Sequence, residues 1–163
     1  MKIIADGMLG KITRWLRLAG EDVININDYP ISPEEEDEVL LNIAEEQSRI
    51  LITRDVNLYR RAVKKDIESI LLEETDDIAK QLLKISESVD GDVEIDLNNS
   101  RCPVCNGKLK AKGKSFVSGK VPKNVLEKND KFWRCEDCGK IYWQGSHWKK
   151  MAETLEKYED LRG

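Results

Sequence analysis

No stretch of the 163 residues is apolar for long enough to be a membrane span or the core of a signal peptide: the run from Met1 to Gly10 is short and broken by Asp6. No internal repeat and no low-complexity tract occurs, which removes solenoid architectures and compositional linkers. Cysteine is absent before residue 102, and the four that follow come as Cys102-Pro-Val-Cys105 and Cys135-Glu-Asp-Cys138. Pairs so spaced are metal knuckles rather than a disulfide framework, so a soluble, cytoplasmic protein is expected. Histidine occurs once, at His147, and four thiolates leave zinc no need of it. Basic residues are scarce in residues 1–97, with 12 Lys+Arg against 23 Asp+Glu, whereas residues 98–163 carry 15 against 8. An acidic half joined to a basic one is the layout of a protein that handles phosphodiesters, one part holding metal and the other phosphate.

What is present begins with Ile50-Leu-Ile-Thr-Arg-Asp55, an apolar, β-branched run that reads as a strand buried on both faces. Ligands of open α/β sheets sit at the carboxyl ends of strands, which is where Thr53, Arg54 and Asp55 fall. Lys2-Ile-Ile-Ala5 ends the same way, on Asp6. Two carboxylates aimed at one point from parallel strands repel unless a cation lies between them.

Leu9, Ile12, Trp15, Leu16 and Ala19 recur at helical spacing up to Gly20, with Arg14 and Arg17 on other faces. Asp22 to Ile26 reads as a strand. Ser32-Pro33 with Glu35 reads as a capping box opening a helix to Gln47, its stripe being Leu40, Ile43, Ala44 and Gln47, with Asp37 inward on the first turn. A short helix with Leu58, Ala62 and Val63, a strand at 68–72 and a helix capped by Thr75 follow. The alternation predicts a parallel sheet with helices on both faces over residues 1–97, then a second unit over 98–163 with a linker near 90–100, including a short strand at 93–97. Ser146 is placed to cap a last helix facing inward with Trp148, Met151, Ala152 and Leu155.

The cysteine segment holds too few large apolar side chains for a core of its own, so zinc held by Cys102, Cys105, Cys135 and Cys138 is expected to fold it. Four thiolates close the coordination shell and leave such a zinc structural. Twenty-nine residues between Cys105 and Cys135 predict a ribbon with an insertion. Asp6, Asp37 and Asp55, with Asp76 or Asp77 as a fourth acid, form a set able to hold one or two magnesium or manganese ions for phosphodiester hydrolysis.

At these residues the sequence resembles known nucleases. Asp6 after the first strand, Thr53-Arg-Asp55 and an acid on the intervening helix are similar to PIN-domain nucleases. Asp6-Gly-Met-Leu-Gly, Arg14-Trp-Leu-Arg-Leu-Ala-Gly20, Leu51-Ile-Thr-Arg-Asp55, Cys102-Pro-Val-Cys105 and Tyr142-Trp-Gln-Gly-Ser-His147 resemble the Mut-seven C-terminal RNase family more closely. The resemblance implies a PIN-like fold joined to a zinc ribbon and metal-dependent RNA cleavage. It also implies that Asp6, Asp37 and Asp55 are ligands of the catalytic metal, with Thr53 orienting Asp55 or a water on it.

Arg14, Arg17 and Arg54 stand near that site as phosphate contacts. Lys110, Lys112, Lys114 and His147 are expected to bind RNA from the basic half, with Phe116, Trp133 and Tyr142 as stacking surfaces. A lone His beside Trp143 and Trp148 is more often a packed or capping residue than a catalyst, so His147 also carries that reading. The rival reading is a catalytically weak RNA-binding adaptor, or a processing factor for ribosomal or transfer RNA. DNA stays open as a substrate because nothing in the sequence reports on the 2′-hydroxyl.

Overall fold

The computed structural model describes residues 1–163. The four apolar runs of the first half form strands β1 (Lys2–Ala5), β2 (Asp22–Asn25), β3 (Ile50–Thr53) and β4 (Ser69–Leu71), all parallel, in the order β2-β1-β3-β4. Helices α1 (Gly10–Leu18), α2 (Glu36–Glu46) and α3 (Val56–Lys64) connect them, and α4 (Ile78–Val89) follows β4. Side chains of a strand alternate between faces, so Ile3, Ala5, Ile50 and Ile52 pack with α1 and α4, while Ile4 and Leu51 pack with α2 and α3. β3 is buried at every position, as its unbroken apolar run requires. The result is a three-layer α/β/α unit. Leu51 is wholly enclosed, and truncating it to Ala costs about 2–5 kcal/mol.

Several local expectations are corrected. α2 starts at Glu36, because the Glu35 N–H bonds the Ser32 carbonyl in a turn and the capping box at Ser32 is never made. Its inward residues are Leu40, Leu41 and Ala44, with Gln47 exposed. α4 is capped by Asp77; the Thr75 hydroxyl instead accepts from the Asp77 N–H. Val63 is exposed on α3. Residues 93–97 form no strand, yet Val93 and Leu97 are buried, so this segment is packed down rather than free.

The second unit is an antiparallel ribbon of β5 (Leu109–Lys112), β6 (Phe132–Cys135) and β7 (Ile141–Tyr142), its insertion carrying α5 (Lys114–Val117) and α6 (Lys123–Lys128). The last helix, α7 (Ser146–Arg162), leaves the ribbon and packs on α4, adding Met151 and Tyr158 to the core that holds Ile78, Leu82 and Ile85. The Tyr158 hydroxyl accepts from the Val93 N–H at 3.2 Å. α7 thus packs on both units, Trp148 at its start against the ribbon cluster and Met151 and Tyr158 in the core of the first unit. Trp148 and Leu155 are partly buried and Ala152 is exposed. No helix is long and apolar enough to cross a membrane.

The units meet along α1 and the outer edge of β2. Gly20 sits at φ +92°, and a Cβ there would lie 2.8 Å from the Asn99 carbonyl, so the chain needs glycine for both its conformation and this close crossing.

Candidate active site and metal centre

The chain leaves β1 toward β2 and leaves β3 toward β4, so the crevice between the carboxyl ends of β1 and β3 is the switch point of this sheet, where open α/β folds place their ligands. Asp6 and Asp55 flank it. The Asp6 N–H continues the ladder to the Ile52 carbonyl at 3.1 Å. Thr53, completely buried, donates its hydroxyl to Asp6 Oδ2 at 3.0 Å and accepts the Asp55 N–H at 3.0 Å. One hydroxyl thus fixes both acids. Asp55 Oδ1 caps α3, accepting from the N–H groups of Asn57 and Leu58 at 2.8 and 3.1 Å, which leaves its second oxygen for the crevice.

Asp37 is half exposed on the first turn of α2, and its carboxyl is raised above the usual range by burial, then by the charge of Asp55 and, more weakly, of Asp6, with Arg61 opposing. The three acids therefore feel one another, and an oxygen-loving cation between them would relieve the repulsion. Their ligand atoms stand wider than a closed cage: only the cysteine set has all its ligand atoms within 4.8 Å of one another. The donor type, carboxylate oxygen, is the one magnesium or manganese takes, and these ions keep several waters and use few direct carboxylates. The fourth acid does not join them. Asp77 is drawn to Lys157 of α7, whose hydrogen bond holds its carboxyl below the usual range, and Asp76 is fully exposed, 3.8 Å from Arg54.

Residues outside the expected set build the floor of the crevice. Asn25, buried at the carboxyl end of β2, donates to the Asp6 carbonyl at 3.3 Å and to the Thr13 hydroxyl at 3.1 Å. Asn27 donates to the Gly7 carbonyl at 3.0 Å, and a Cβ on Gly7 would lie 2.7 Å from the Asn27 amide oxygen, so a larger residue there would push the Asn27 side chain off this bond. The available signal was a polar residue ending a strand beside the one that ends on Asp6. Arg61 lies 3.7 Å from Asp37 and also pairs with Glu38, the one cation facing the acids from α3.

Among the arginines expected to hold phosphate, Arg14 is exposed on α1. Arg17 is not available: it is 3% exposed and donates to the Val23 carbonyl at 2.9 Å, to the Pro103 and Val104 carbonyls at 3.0 and 3.4 Å, and to Asp28 at 2.8 Å. It is a strut between the units. Asn106 completes that seam, accepting from the Val23 N–H at 3.0 Å and donating to Asp22 at 2.8 Å, so the ribbon covers the free edge of β2. Arg54 donates to the Glu73 and Thr75 carbonyls and ties β3 to the loop before α4.

The four cysteines converge as the spacing predicts. Cys102 and Cys138 sulfurs are 3.8 Å apart, Cys105 and Cys135 3.3 Å, near the edge of about 3.8 Å that a tetrahedron with bonds of about 2.3 Å requires. This cluster can hold a metal ion and is compatible with a zinc ribbon. Burial pushes the Cys105 thiol up to about 12; burial also works against the Cys135 thiolate, but the N–H groups of Cys138 and Asp137 outweigh it and bring that thiol down to about 7. The Tyr142 hydroxyl lies 3.0 Å from Cys102 Sγ, which ties that ring to the cluster. Trp133 is buried beneath the ribbon and offers no open stacking face. Lys110 and Lys114 are exposed, Lys114 pairing with Asp130 at 3.2 Å, while Lys112 lies 4.8 Å from the Phe116 ring centre. His147 is exposed in the first turn of α7.

A family model described as Mut7-C RNAse domain matches residues 1–155, and the chain belongs to that family. No curated protein and no solved structure matches it.

Proposed function

We propose that this member of the Mut7-C RNAse domain family is a cytoplasmic, divalent-metal-dependent endoribonuclease that cuts RNA in the crevice between β1 and β3. The observation carrying this reading is the relay in which Thr53 joins the Asp55 backbone to the Asp6 carboxylate at the switch point, with Asp37 electrostatically coupled from α2. Asp6, Asp37 and Asp55 would hold magnesium or manganese, which would supply Lewis acidity and a more acidic water for attack on the phosphodiester. Thr53 keeps Asp6 and Asp55 in register, Asn25 and the turn at Gly7 keep Asp6 at the strand end, and Asp55 spends one oxygen on its helix cap so that the other stays oriented. The carboxylates repel a polyanion, and the excess of Lys and Arg over Asp and Glu in residues 98–163 offsets this. Lys110, Lys112, Lys114, Arg14 and His147 are assigned to RNA, Arg17 and Arg54 to structure. Zinc on the four thiolates would be structural, holding the ribbon against β2.

The test is cleavage of labelled RNA and DNA by the full chain with manganese, magnesium or neither, repeated with Asp55→Asn. Metal-dependent cleavage of RNA, lost in the variant, is expected. The wide spacing of the acids favours a second reading, an RNA-binding adaptor; RNA bound without cleavage under every metal condition would establish that reading in place of the first.

A further inference from the structure

A cavity of about 580 Å³ lies away from the carboxylates, where α1, the ribbon and the start of α7 meet. Its walls are aromatic: Trp15 from α1, Tyr142 and Trp143 from the ribbon, and Trp148 from α7. Its charges are of one sign. Lys11 and Arg14 come from α1 and Lys150 from α7, with His147 beside them and no acidic side chain in the lining. None of Lys11, Arg14 or Lys150 takes part in an ion pair, whereas most other arginines of this unit do. Cations and aromatic rings lining one cavity, with no carboxylate among them, are placed for an anionic ligand that also has a flat ring.

Two further observations point the same way. The Trp133 indole N–H is satisfied by Asn98 at 3.1 Å, but those of Trp15, Trp143 and Trp148 have no partner in the protein. No buried side-chain nitrogen or oxygen is left unpaired, so these three donors are open to water or a ligand. α3 and α4 begin on aspartates, Asp55 and Asp77, that take up their first amides; the 17-residue α7 begins at Gly145 with no side-chain cap and no acid in its first turn. Gly145 and His147 line the cavity, so uncapped amides lie at its wall, where a phosphate would be stabilised.

We infer that this cavity binds one unstacked nucleotide of the RNA strand, its base against the indoles of Trp143 and Trp148 and its phosphate at Lys11, Arg14, Lys150 and the start of α7. The volume lies in the range of small-molecule sites. Lys11 follows Asp6 by five residues, about 7–9 Å of helical path, so a strand seated here passes the crevice within a few phosphates. The inference rests on the nuclease reading for its biological meaning and on the cavity alone for the binding.

The probe is adenosine 5′-monophosphate, added to the full zinc-loaded chain without magnesium or manganese and followed through the indole N–H resonances. Saturable shifts of Trp15, Trp143 and Trp148, with Trp133 unmoved, are expected, and adenosine or ribose 5-phosphate should each bind about tenfold or more weakly. The variant K11A/R14A/K150A, which breaks no ion pair or side-chain hydrogen bond, should weaken binding by about tenfold or more, and Trp143→Leu by about tenfold to a hundredfold. Absent or unsaturable shifts, shifts that include Trp133 equally, or binding unchanged in both variants would overturn the site. Failure of the wild-type chain to cut RNA would overturn the nuclease reading and leave this result as it stands.

Discussion

Arg17→Met separates a structural arginine from a nucleic-acid contact, because methionine keeps the apolar stem and removes only the guanidinium. Arg17 spans the seam between α1, β2 and the first cysteine knuckle, making good bonds to the Val23 and Pro103 carbonyls, a longer one to Val104 and an ion pair with Asp28. Asp28 is 43% exposed, so that pair contributes no more than about 1 kcal/mol. Each bond from the charged donor to a carbonyl contributes about 1.5–3 kcal/mol, and the bonds are not additive; a total loss of about 3–4 kcal/mol is expected. Set against a stability of about 5–15 kcal/mol, this is large. With an m-value of about 2 kcal/mol per molar urea, the midpoint of unfolding in zinc-containing buffer should fall by about 1.5–2 M. Arg14→Met, three residues away on the exposed face, should change stability by no more than about 0.5 kcal/mol and instead weaken RNA binding. An Arg17→Met protein as stable as wild type but poorer at binding RNA would refute the reasoning and return Arg17 to the phosphate contacts.

Elemental analysis of the full chain should find about one zinc per molecule, and Cys135→Ser should lose it together with the ribbon fold; retention of either would refute the site. Asp37 binds its proton more tightly folded than unfolded, because of burial and the charge of Asp55, so once ionised above its folded pKa it works against the metal-free fold. Asp37→Asn should accordingly melt at the same or a higher temperature without metal while binding manganese about tenfold or more weakly; a lower melting temperature contradicts this. Asp22 has the opposite sign: burial opposes its charge, but the hydrogen bonds from Arg49 and Asn106 prevail and hold the carboxyl below 3.8. Its stabilisation is present above that value and lost as pH falls through the folded pKa, so Asp22→Asn should flatten the acid limb of stability against pH, and an unchanged limb would refute the coupling. Replacing Lys110, Lys112 and Lys114 by Ala should reduce the slope of log affinity against log salt by about 0.7 for each phosphate no longer neutralised, alike for all RNA sequences; an unchanged slope moves the RNA surface off the ribbon.

The features legible in the sequence are those whose cause is local. β3 declares itself because a strand covered on both faces must be apolar throughout, and the knuckles declare themselves because two thiols three residues apart, occurring twice, have few other uses. What could not be read depends on which surface meets which. Arg14 and Arg17 are three residues apart on one helix and look alike as solvated cations, but the ribbon covers only Arg17, and the acceptors that hold it, Pro103 and Val104, are backbone carbonyls that carry no signature of their own. Asn106, at φ 71°, makes the turn after the first cysteine pair; that its side chain also reaches the edge of β2 follows from docking alone. The same docking joins the two sites. The first cysteine knuckle sets Asn106 on Val23, two residues along β2 stands Asn25, and Asn25 holds the carbonyl of Asp6. If a metal on the four thiolates holds this knuckle in shape, as proposed, its loss would release Asn106 from β2 beside the point from which the acidic crevice is braced, which would couple the cysteine cluster to the carboxylates through one edge strand.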